Sequence, residues 1–291
     1  MQEVKENAMV IDGKQIARDL KSSVAERVKE SSERIGRAPQ LVVILVGEDP
    51  ASEVYVRNKA KACEEVGILN RTVRLDASTP EEELLSLLRS LNADPKVDGI
   101  LVQLPLPQHI DEAKVIATID REKDVDGFHP LNVAGLWQKT PHMAPCTPKG
   151  IMKLLAAAGV DPKGKRAVVI GRSRIVGLPV AKMLLDANAT VTLCHTRTVD
   201  LASVTREAEI LVVAAGSARM VTGDMVSEGV TVIDVGMNRD PLTNKLCGDV
   251  DFDTVAPKAS AITPVPGGVG PMTIACLMEN TLECFLLHAD R

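Results

Sequence analysis

Short apolar runs rich in Val, Ile and Leu alternate with helical patterns along the whole of this 291-residue chain. Runs such as 41–46, 166–170 and 210–214 lack polar alternation, which is typical of strands buried on both faces of a parallel sheet. Between them, segments such as 12–35 carry apolar residues at i, i+4 spacing, the pattern of a helix with one buried stripe. Because parallel strands need crossover connections, this alternation predicts an α/β fold with parallel sheets in both halves.

The same patterns place the individual elements. Strands are predicted at 41–46, 71–75, 99–104, 166–170, 190–194, 210–214 and 230–235. Helices are predicted at 12–35, 52–66, 80–91, 111–119, 148–158, 177–187, 200–207, 222–228 and 272–287. Thr79 is expected to open the third helix with a capping box, and the last helix carries its apolar residues on one side. Residues 121–148, with several Pro and Gly, are predicted to form a long irregular segment between two α/β blocks.

Composition excludes several classes of protein. Hydrophobic residues make up 45% and charged residues 25%, so intrinsic disorder is not expected. A net charge of −5, with one Trp, one Tyr and three Phe, argues against a nucleic-acid binder. No apolar run approaches the ~20 residues of a membrane helix, and the first residues resemble neither a secretory signal nor a transit peptide. The six cysteines form no C-x-x-C pair, so we expect no metal site and reduced thiols in a cytoplasmic protein.

A strand, a tight turn and a helix start follow one another at 168–179, as in dinucleotide-binding folds. Gly171 permits the turn, Gly177 lets the helix approach the sheet, and the helix N-terminus can hold a pyrophosphate. Ser173 replaces the second glycine of the usual G-x-G-x-x-G pattern. A tight turn of any doubly wound fold is the alternative.

The end of the next strand favours NADP over NAD. An NAD-binding fold usually places an acidic residue about 20 positions on, but here the strand ends in Cys194, His195, Thr196, Arg197 and Thr198. Hydroxyls and a cation suit a 2′-phosphate, which residues 172 and 173 could also reach. A solvated surface charge is the alternative for Arg197.

Tyr55 and Lys59 lie four residues apart on one predicted helix, so their side chains share a face at the edge of the buried stripe. Lys59 can act as an acid or base where burial or a neighbouring cation favours its neutral form. The alternative is an exposed lysine beside a packed tyrosine.

Other polar and glycine-rich positions point to a ligand site. Gln103 lies inside an apolar strand, where its amide needs a partner, either a ligand or a catalytic lysine. Asp124 and Asp126 offer carboxylates to an amine-rich ring, with an Asp-Gly turn as the alternative. The Pro- and Gly-rich segment 263–273 lets the backbone approach a ligand closely.

Six segments match, in order, the motifs of one family: 55–61, 98–107, 123–127, 145–148, 171–173 and 264–273. With them the chain resembles the bifunctional methylenetetrahydrofolate dehydrogenase/cyclohydrolase family over nearly its whole length. The resemblance implies NADP-dependent oxidation of 5,10-methylenetetrahydrofolate to the methenyl cation, followed by hydrolysis to 10-formyltetrahydrofolate. The family usually has Ser where this chain has Thr196, and the hydroxyl is kept.

The resemblance also implies roles for individual residues. Lys59 would be the catalytic lysine, needed chiefly for hydrolysis, and Gln103 would hydrogen-bond it and tune its protonation. Tyr55 would stack on the folate and Asp126 would anchor the pterin, which completes the expected catalytic set. The remaining folate wall would be Val102, Leu104, Pro105, Gly267, Gly268 and Pro271. The NADP-binding residues would be Gly171, Arg172, Ser173, Ile175, Val176, His195, Thr196, Arg197, Ala215, Gly216, Gly236 and Asn238.

Two domains with a cleft between them follow from the same resemblance. Residues 1–147 with the C-terminal helix 272–291 would bind folate, and residues 148–271 would form a Rossmann-type NADP-binding domain. Family members are usually homodimers, and the expected partners are tetrahydrofolate derivatives, with neither nucleic acid nor membrane. The rival functions are a monofunctional dehydrogenase or cyclohydrolase, a non-catalytic NADP-binding module, and an amino- or shikimate-type dehydrogenase of the same layout.

Overall fold

The computed structural model of the chain describes residues 8–140, 142–240 and 245–289. These residues divide into two compact units, each with a parallel sheet. The first unit contains the described residues up to Ala17 and Thr147–Thr273, and the second contains Arg18–Cys146 and the described residues from Ile274 onward. The predicted α/β fold with parallel sheets in both halves is confirmed.

The predicted elements largely coincide with those of the structure. The strands are β1 (Met9–Val10), β2 (Gln40–Val46), β3 (Leu69–Leu75), β4 (Gly99–Val102), β5 (Arg166–Ile170), β6 (Thr190–Cys194), β7 (Ile210–Val213), β8 (Thr231–Asp234), β9 (Asn238–Arg239), β10 (Leu246–Cys247) and β11 (Ala261–Ile262). The helices are α1 (Gly13–Ile35), α2 (Pro50–Val66), α3 (Glu81–Ala93), α4 (Glu112–Thr118), α5 (Pro130–Gln138), α6 (Cys146–Ala157), α7 (Gly177–Asp186), α8 (Leu201–Arg206), α9 (Phe252–Val255) and α10 (Val269–Ala289).

The second unit is built on a three-stranded parallel sheet in the order β3-β2-β4. All six residues of Leu41–Val46 in the central strand are buried, as its unbroken apolar run predicts. Helix α3 covers this sheet with Leu84, Leu85 and Leu88, which are fully buried. Burial of each such leucine contributes about 1.5–3 kcal/mol. The packed sheet holds the carboxyl ends of β2 and β4 side by side.

The first unit is built on a six-stranded parallel sheet in the order β1-β11-β8-β7-β5-β6. Strand β5 has β6 on one side and β7 on the other, so the chain changes direction across the sheet at β5. Ligands of such folds bind outside the carboxyl ends of the strands at this switch point. The edge strand β1 was not predicted, because a run of two residues carries no periodicity.

Several expectations about local structure are wrong. Helix α3 has Pro80 as its N-cap with no side-chain cap hydrogen bond, so Thr79 lies one position before the cap and the expected capping box does not form. Helix α5 lies inside the segment expected to be irregular, starting at Pro130 with the His129 ring as its cap. The helix expected at 222–228 is a short 3₁₀ turn, Gly223–Met225.

Helix α10 does not have the single apolar stripe that its sequence suggests. Every residue of 275–282 is buried, including Glu279, Asn280 and Thr281. A helix buried on all sides needs partners for its polar side chains. These partners bear directly on the candidate site.

Membrane and metal features were also sought in the described residues. None of their helices combines the length and the apolar character needed to cross a bilayer. They contain no group of three or more His, Cys, Asp or Glu side chains arranged to hold a metal ion. All six cysteines are buried thiols.

Candidate active site and cofactor site

Lys59 is a buried lysine with a defined hydrogen-bond partner. It lies on α2, whose start is fixed by the Asp49 carboxylate accepting from the Ser52 N–H at 2.8 Å. The residue is only 7% exposed, and its Nζ donates to Gln103 Oε1 at 2.9 Å. The alternative of an exposed lysine is therefore wrong. Tyr55 lies one turn earlier on the same helix, half-buried, and burial raises the pKa of its phenol.

Gln103 is the first residue after β4 rather than a residue inside it. Its backbone N–H donates to the Ile44 carbonyl at 2.8 Å, and its side-chain Nε2 donates to the Leu104 carbonyl at 2.8 Å. Because Nε2 is engaged there, the amide oxygen faces Lys59, which can only donate when charged. The expected partner of this amide is thus the lysine. Leu104 leads into Pro105 through a cis peptide bond.

The structure gives the two aspartates different tasks. The Asp124 carboxylate accepts from the N–H groups of Gly127 (3.1 Å) and His129 (2.7 Å) and from Asn132 Nδ2 (2.8 Å). Asp124 therefore builds the turn, and Gly127 has the left-handed φ of 73° that this turn requires. Asp126, a residue of intermediate exposure, takes no part in these hydrogen bonds of the turn.

The electrostatics of Asp126 link it to Lys59. Burial raises the pKa of Asp126, the positive charge of Lys59 opposes that rise, and Asp124 adds to it. Lys59 thus has Gln103 as its hydrogen-bond partner and acts through its charge on Asp126. A small cavity is lined by Val102, Leu104, Asp126 and Phe128, among others.

Asn280 of α10 is a residue of this site that the sequence reading missed. Its Nδ2 donates to the carbonyls of Val125 (2.8 Å) and Ala144 (2.9 Å) and to the sulfur of Cys146 (3.4 Å). The Cys146 thiol donates to the Val125 carbonyl at 3.2 Å, and its interaction with Asp126 lowers the pKa of that carboxyl. The available signal was a run of three polar residues, 279–281, flanked by apolar residues of the same helix.

The turn after β5 in the first unit has the close packing that a dinucleotide site requires. Gly171 has φ 111°, and a Cβ there would collide with the Ala214 carbonyl beyond β7. A Cβ on Gly177 would collide with the Gly171 carbonyl. The Ser173 hydroxyl accepts from the N–H groups of Val176 (3.2 Å) and Gly177 (3.3 Å), which leaves its proton for an acceptor such as a phosphate.

The side chains expected around the 2′-phosphate are open to solvent at the ends of β5 and β6. Arg172, Ser173, Thr196 and Arg197 are all exposed. His195 begins a turn in which its Nδ1 accepts from the Arg197 N–H at 3.1 Å. Ile175 is exposed, at 37%.

Four of the residues expected to bind NADP are gathered around one buried carboxylate, Asp249. The N–H groups of Ala215 and Gly216 donate to it at 2.7 and 2.9 Å, and Asn238 Nδ2 donates at 2.8 Å. Gly236 lies against it, since a Cβ at that position would collide with Asp249 Oδ1.

The glycine-rich segment before α10 is explained in part by packing within the first unit. Gly267 has φ 117°, and a Cβ on Gly268 would lie 2.7 Å from Thr263 Cβ and 2.8 Å from the Pro264 carbonyl oxygen. Pro271 is partly exposed. The backbone path of this segment therefore requires glycine at both positions, independently of any ligand.

Taken unit by unit, these features define a class of protein. A parallel sheet whose switch point carries a dinucleotide turn is typical of a nicotinamide-dependent α/β oxidoreductase, and the buried lysine adds a group suited to proton transfer. Residues 11–126 match the catalytic domain of tetrahydrofolate dehydrogenase/cyclohydrolase, and residues 145–289 match its NAD(P)-binding domain. The chain belongs to this family.

Individual relatives match nearly the full length. The bifunctional protein FolD of Moorella thermoacetica is 59% identical over 276 residues, which cover 95% of this chain and 98% of that protein. The crystal structure of the FolD dehydrogenase/cyclohydrolase from Campylobacter jejuni has a TM-score of 0.93 and 50% identity, covering 95% of this chain and 98% of that one. FolD from Trypanosoma brucei, complexed with NADP cofactor and an inhibitor, has a TM-score of 0.93 and 41% identity, covering 97% and 98%.

These comparisons decide among the functions considered. The expected bifunctional folate enzyme with an NADP cofactor is confirmed. A non-catalytic NADP-binding module and a dehydrogenase of the amino or shikimate type are excluded by the family.

Proposed function

We propose that Lys59 is the proton-transfer residue of the hydrolytic reaction, in which 5,10-methenyltetrahydrofolate becomes 10-formyltetrahydrofolate. The observation that carries this is the 2.9 Å contact between buried Lys59 Nζ and Gln103 Oε1. The amide oxygen accepts one N–H of Lys59 and adds no charge of its own, so the amine in its neutral form keeps a lone pair that can take a proton.

The two reactions require different contributions from the protein: positioning in the first and proton transfer in the second. In the first, NADP when bound accepts a hydride from the methylene carbon, which calls for positioning and little acid or base help. In the second, a water oxygen bonds to the methenyl carbon and one proton of that water passes to Lys59. The remaining hydroxyl loses its proton to solvent as the carbonyl forms, and the bond from carbon to N5 breaks. N5 keeps the electron pair and takes the proton that Lys59 holds. The cationic substrate itself favours the neutral lysine.

We assign the other residues by the chemistry of their positions. Asp126 accepts hydrogen bonds from the amine-rich pterin, and Tyr55 stacks on it. The further contacts proposed for folate are Val102, Leu104, Pro105, Gly267, Gly268 and Pro271. Those proposed for NADP are Gly171, Arg172, Ser173, Ile175, Val176, His195, Thr196, Arg197, Ala215, Gly216, Gly236 and Asn238. We assign folate binding to residues 1–147 with 272–291, and NADP binding to 148–271.

A spectrophotometric assay of the wild-type protein tests the reaction sequence. With methylenetetrahydrofolate and NADP, the methenyl absorbance band should rise and then decay as the formyl product forms. The rise should be faster with NADP than with NAD, because Arg172, Ser173, Thr196 and Arg197 offer partners to a 2′-phosphate. A band that rises and decays only at the rate of free solution would contradict the role of Lys59.

We also propose a cytoplasmic homodimer that binds neither nucleic acid nor membrane. Six buried thiols suit a reducing compartment, and a net charge of −5 disfavours a polyanionic partner. Light scattering after size-exclusion chromatography should give twice the 31.1 kDa of one chain. A mass of one chain at micromolar concentration would contradict the dimer.

A further inference from the structure

Asp249 is a buried carboxylate to which the sequence reading gave no role. It is 0% exposed and follows β10 by one glycine. Its two oxygens accept from three consecutive backbone N–H groups after β7, those of Ala215 (2.7 Å), Gly216 (2.9 Å) and Ser217 (2.9 Å). Three successive amides turned toward one anion fix the whole loop, and Gly216 takes a left-handed φ of 68° within it.

The same carboxylate fixes the side chain of Asn238. Asn238 Nδ2 donates to Asp249 Oδ1 at 2.8 Å. An ionised carboxylate only accepts, so the amide cannot be turned the other way. Of the Asn238 amide, the carbonyl oxygen and the second N–H remain for a ligand, and the oxygen suits a donor such as the N–H of a carboxamide.

A second carboxylate, Asp234, holds Asp249 in place from the end of β8. It is 4% exposed, and its oxygens accept from the N–H groups of Asp249 (2.9 Å), Val250 (3.0 Å) and Gly236 (2.9 Å). A Cβ on Gly248 would collide with Asp234 Oδ2, just as one on Gly236 would collide with Asp249. The chain thus reserves space for both carboxylates.

Joining loops with two buried carboxylates is costly in free energy, because each carboxylate loses its hydration. Hydrogen bonds must compensate for that loss. Here the two carboxylates lie just beyond the carboxyl ends of β7 and β8, on the side of the sheet where ligands bind. What they hold is also specific, since Ala215, Gly216, Gly236 and Asn238 all belong to the proposed cofactor set. Their arrangement therefore points to preorganisation for a ligand.

We propose that Asp249 is a positioning residue of the dehydrogenase reaction. It holds the Ala215–Ser217 loop and the Asn238 amide in the conformation that receives the nicotinamide end of NADP, and Asp234 fixes Asp249 in turn. This proposal rests on the proposed cofactor contacts. Hydride transfer depends on positioning, whereas hydrolysis of the methenyl substrate uses no group held by Asp249.

Asp249→Asn tests the proposal in the full-length protein. The carboxylate accepts hydrogen bonds with both oxygens, whereas the amide of Asn would direct its own N–H groups at the N–H donors of the loop. We measure the NADP dissociation constant by calorimetry, dehydrogenase kcat and KM, and cyclohydrolase turnover from methenyltetrahydrofolate without NADP. Dehydrogenase kcat/KM should fall about 100-fold, the loss that a misplacement of about 1 Å produces. NADP should bind more weakly, and cyclohydrolase turnover should stay unchanged. Asp253→Asn, an exposed aspartate on α9, is the matched control.

Each outcome decides the matter. Unchanged NADP affinity and dehydrogenase activity in Asp249→Asn would overturn the proposal, as would equal loss of both activities, which marks a merely structural role. Asn238→Ala, which leaves the loop anchored, must also lower dehydrogenase activity more than cyclohydrolase turnover. Its effect on NADP affinity should not add to that of Asp249→Asn. If the wild type bound no NADP at all, the proposed cofactor contacts would fail instead.

Discussion

At the scale of single residues, chemistry depends on which neutral or charged partner each group meets. Gln103 offers Lys59 an uncharged acceptor. The Asp124 carboxylate accepts from backbone N–H groups of the turn, and Asp126 does not. The sequence indicated Lys59, Gln103 and both aspartates as candidates. It could not separate Asp124 from Asp126, because only the folded turn shows which carboxylate is consumed by backbone N–H groups.

Gln103→Glu should reduce cyclohydrolase turnover by about 100-fold or more, the lower range of a general acid–base contribution. The new carboxylate would pair with Lys59 and hold it as an ammonium, which cannot take a proton from water. Dehydrogenase kcat should change little. The measurement is the decay of the methenyl band, with Gln108→Glu as the control at an exposed glutamine. Rapid decay in Gln103→Glu would show that the charge of the partner does not matter.

At the scale of elements, periodic segments were predictable and segments fixed by distant contacts were not. Strands β2, β5 and β6 were predicted within a residue at each end, because their apolar runs are continuous. Helix α5 was missed, since its start depends on the His129 cap and Pro130 rather than on periodicity. The burial of α10 on every side could not be predicted either, because the hydrogen-bond partners of Asn280 lie about 135–155 residues away in the chain.

Asn280→Ala should destabilise the protein and weaken folate binding together. It removes the amide donor from the carbonyls of Val125 and Ala144, of which Val125 keeps the Cys146 thiol, at a cost of about 1–3 kcal/mol in unfolding free energy. Because Val125 precedes Asp126, the folate KM should rise while the NADP dissociation constant stays unchanged. Urea unfolding and steady-state kinetics measure these, with the exposed Asn58→Ala as control. A stability loss with an unaltered folate KM would remove Asn280 from the site.

At the scale of the whole molecule, buried charges give each unit its own response to pH. In the second unit, burial alone would raise the pKa of Asp98, but hydrogen bonds from Arg37, His288 and the Gln40 N–H outweigh burial and lower it. Its stabilisation is therefore lost only as the pH falls below about 3.8. In the first unit, burial raises the pKa of Asp234 from 3.8 to about 6 despite three backbone hydrogen bonds.

For Asp234 the dependence of stability on pH has the opposite direction. Between pH 3.8 and about 6 the folded protein binds a proton that the unfolded chain does not, so stability should fall as the pH rises through this window. The effect is roughly 3 kcal/mol for a shift of this size. Calorimetry of the wild type and Asp234→Asn from pH 4 to 7 measures it, and the variant should lack this part of the slope. Identical slopes in the two proteins would contradict the raised pKa.

Lys59→Met tests whether buried Lys59 moves the proton in the hydrolytic reaction. The variant keeps an unbranched side chain, one heavy atom shorter, and removes the amine. We expect methenyltetrahydrofolate to accumulate without conversion to the formyl product, while the fold and NADP affinity match those of Lys61→Met, at an exposed lysine on the same helix. Cyclohydrolase turnover in Lys59→Met equal to that of the wild type would contradict this role of Lys59.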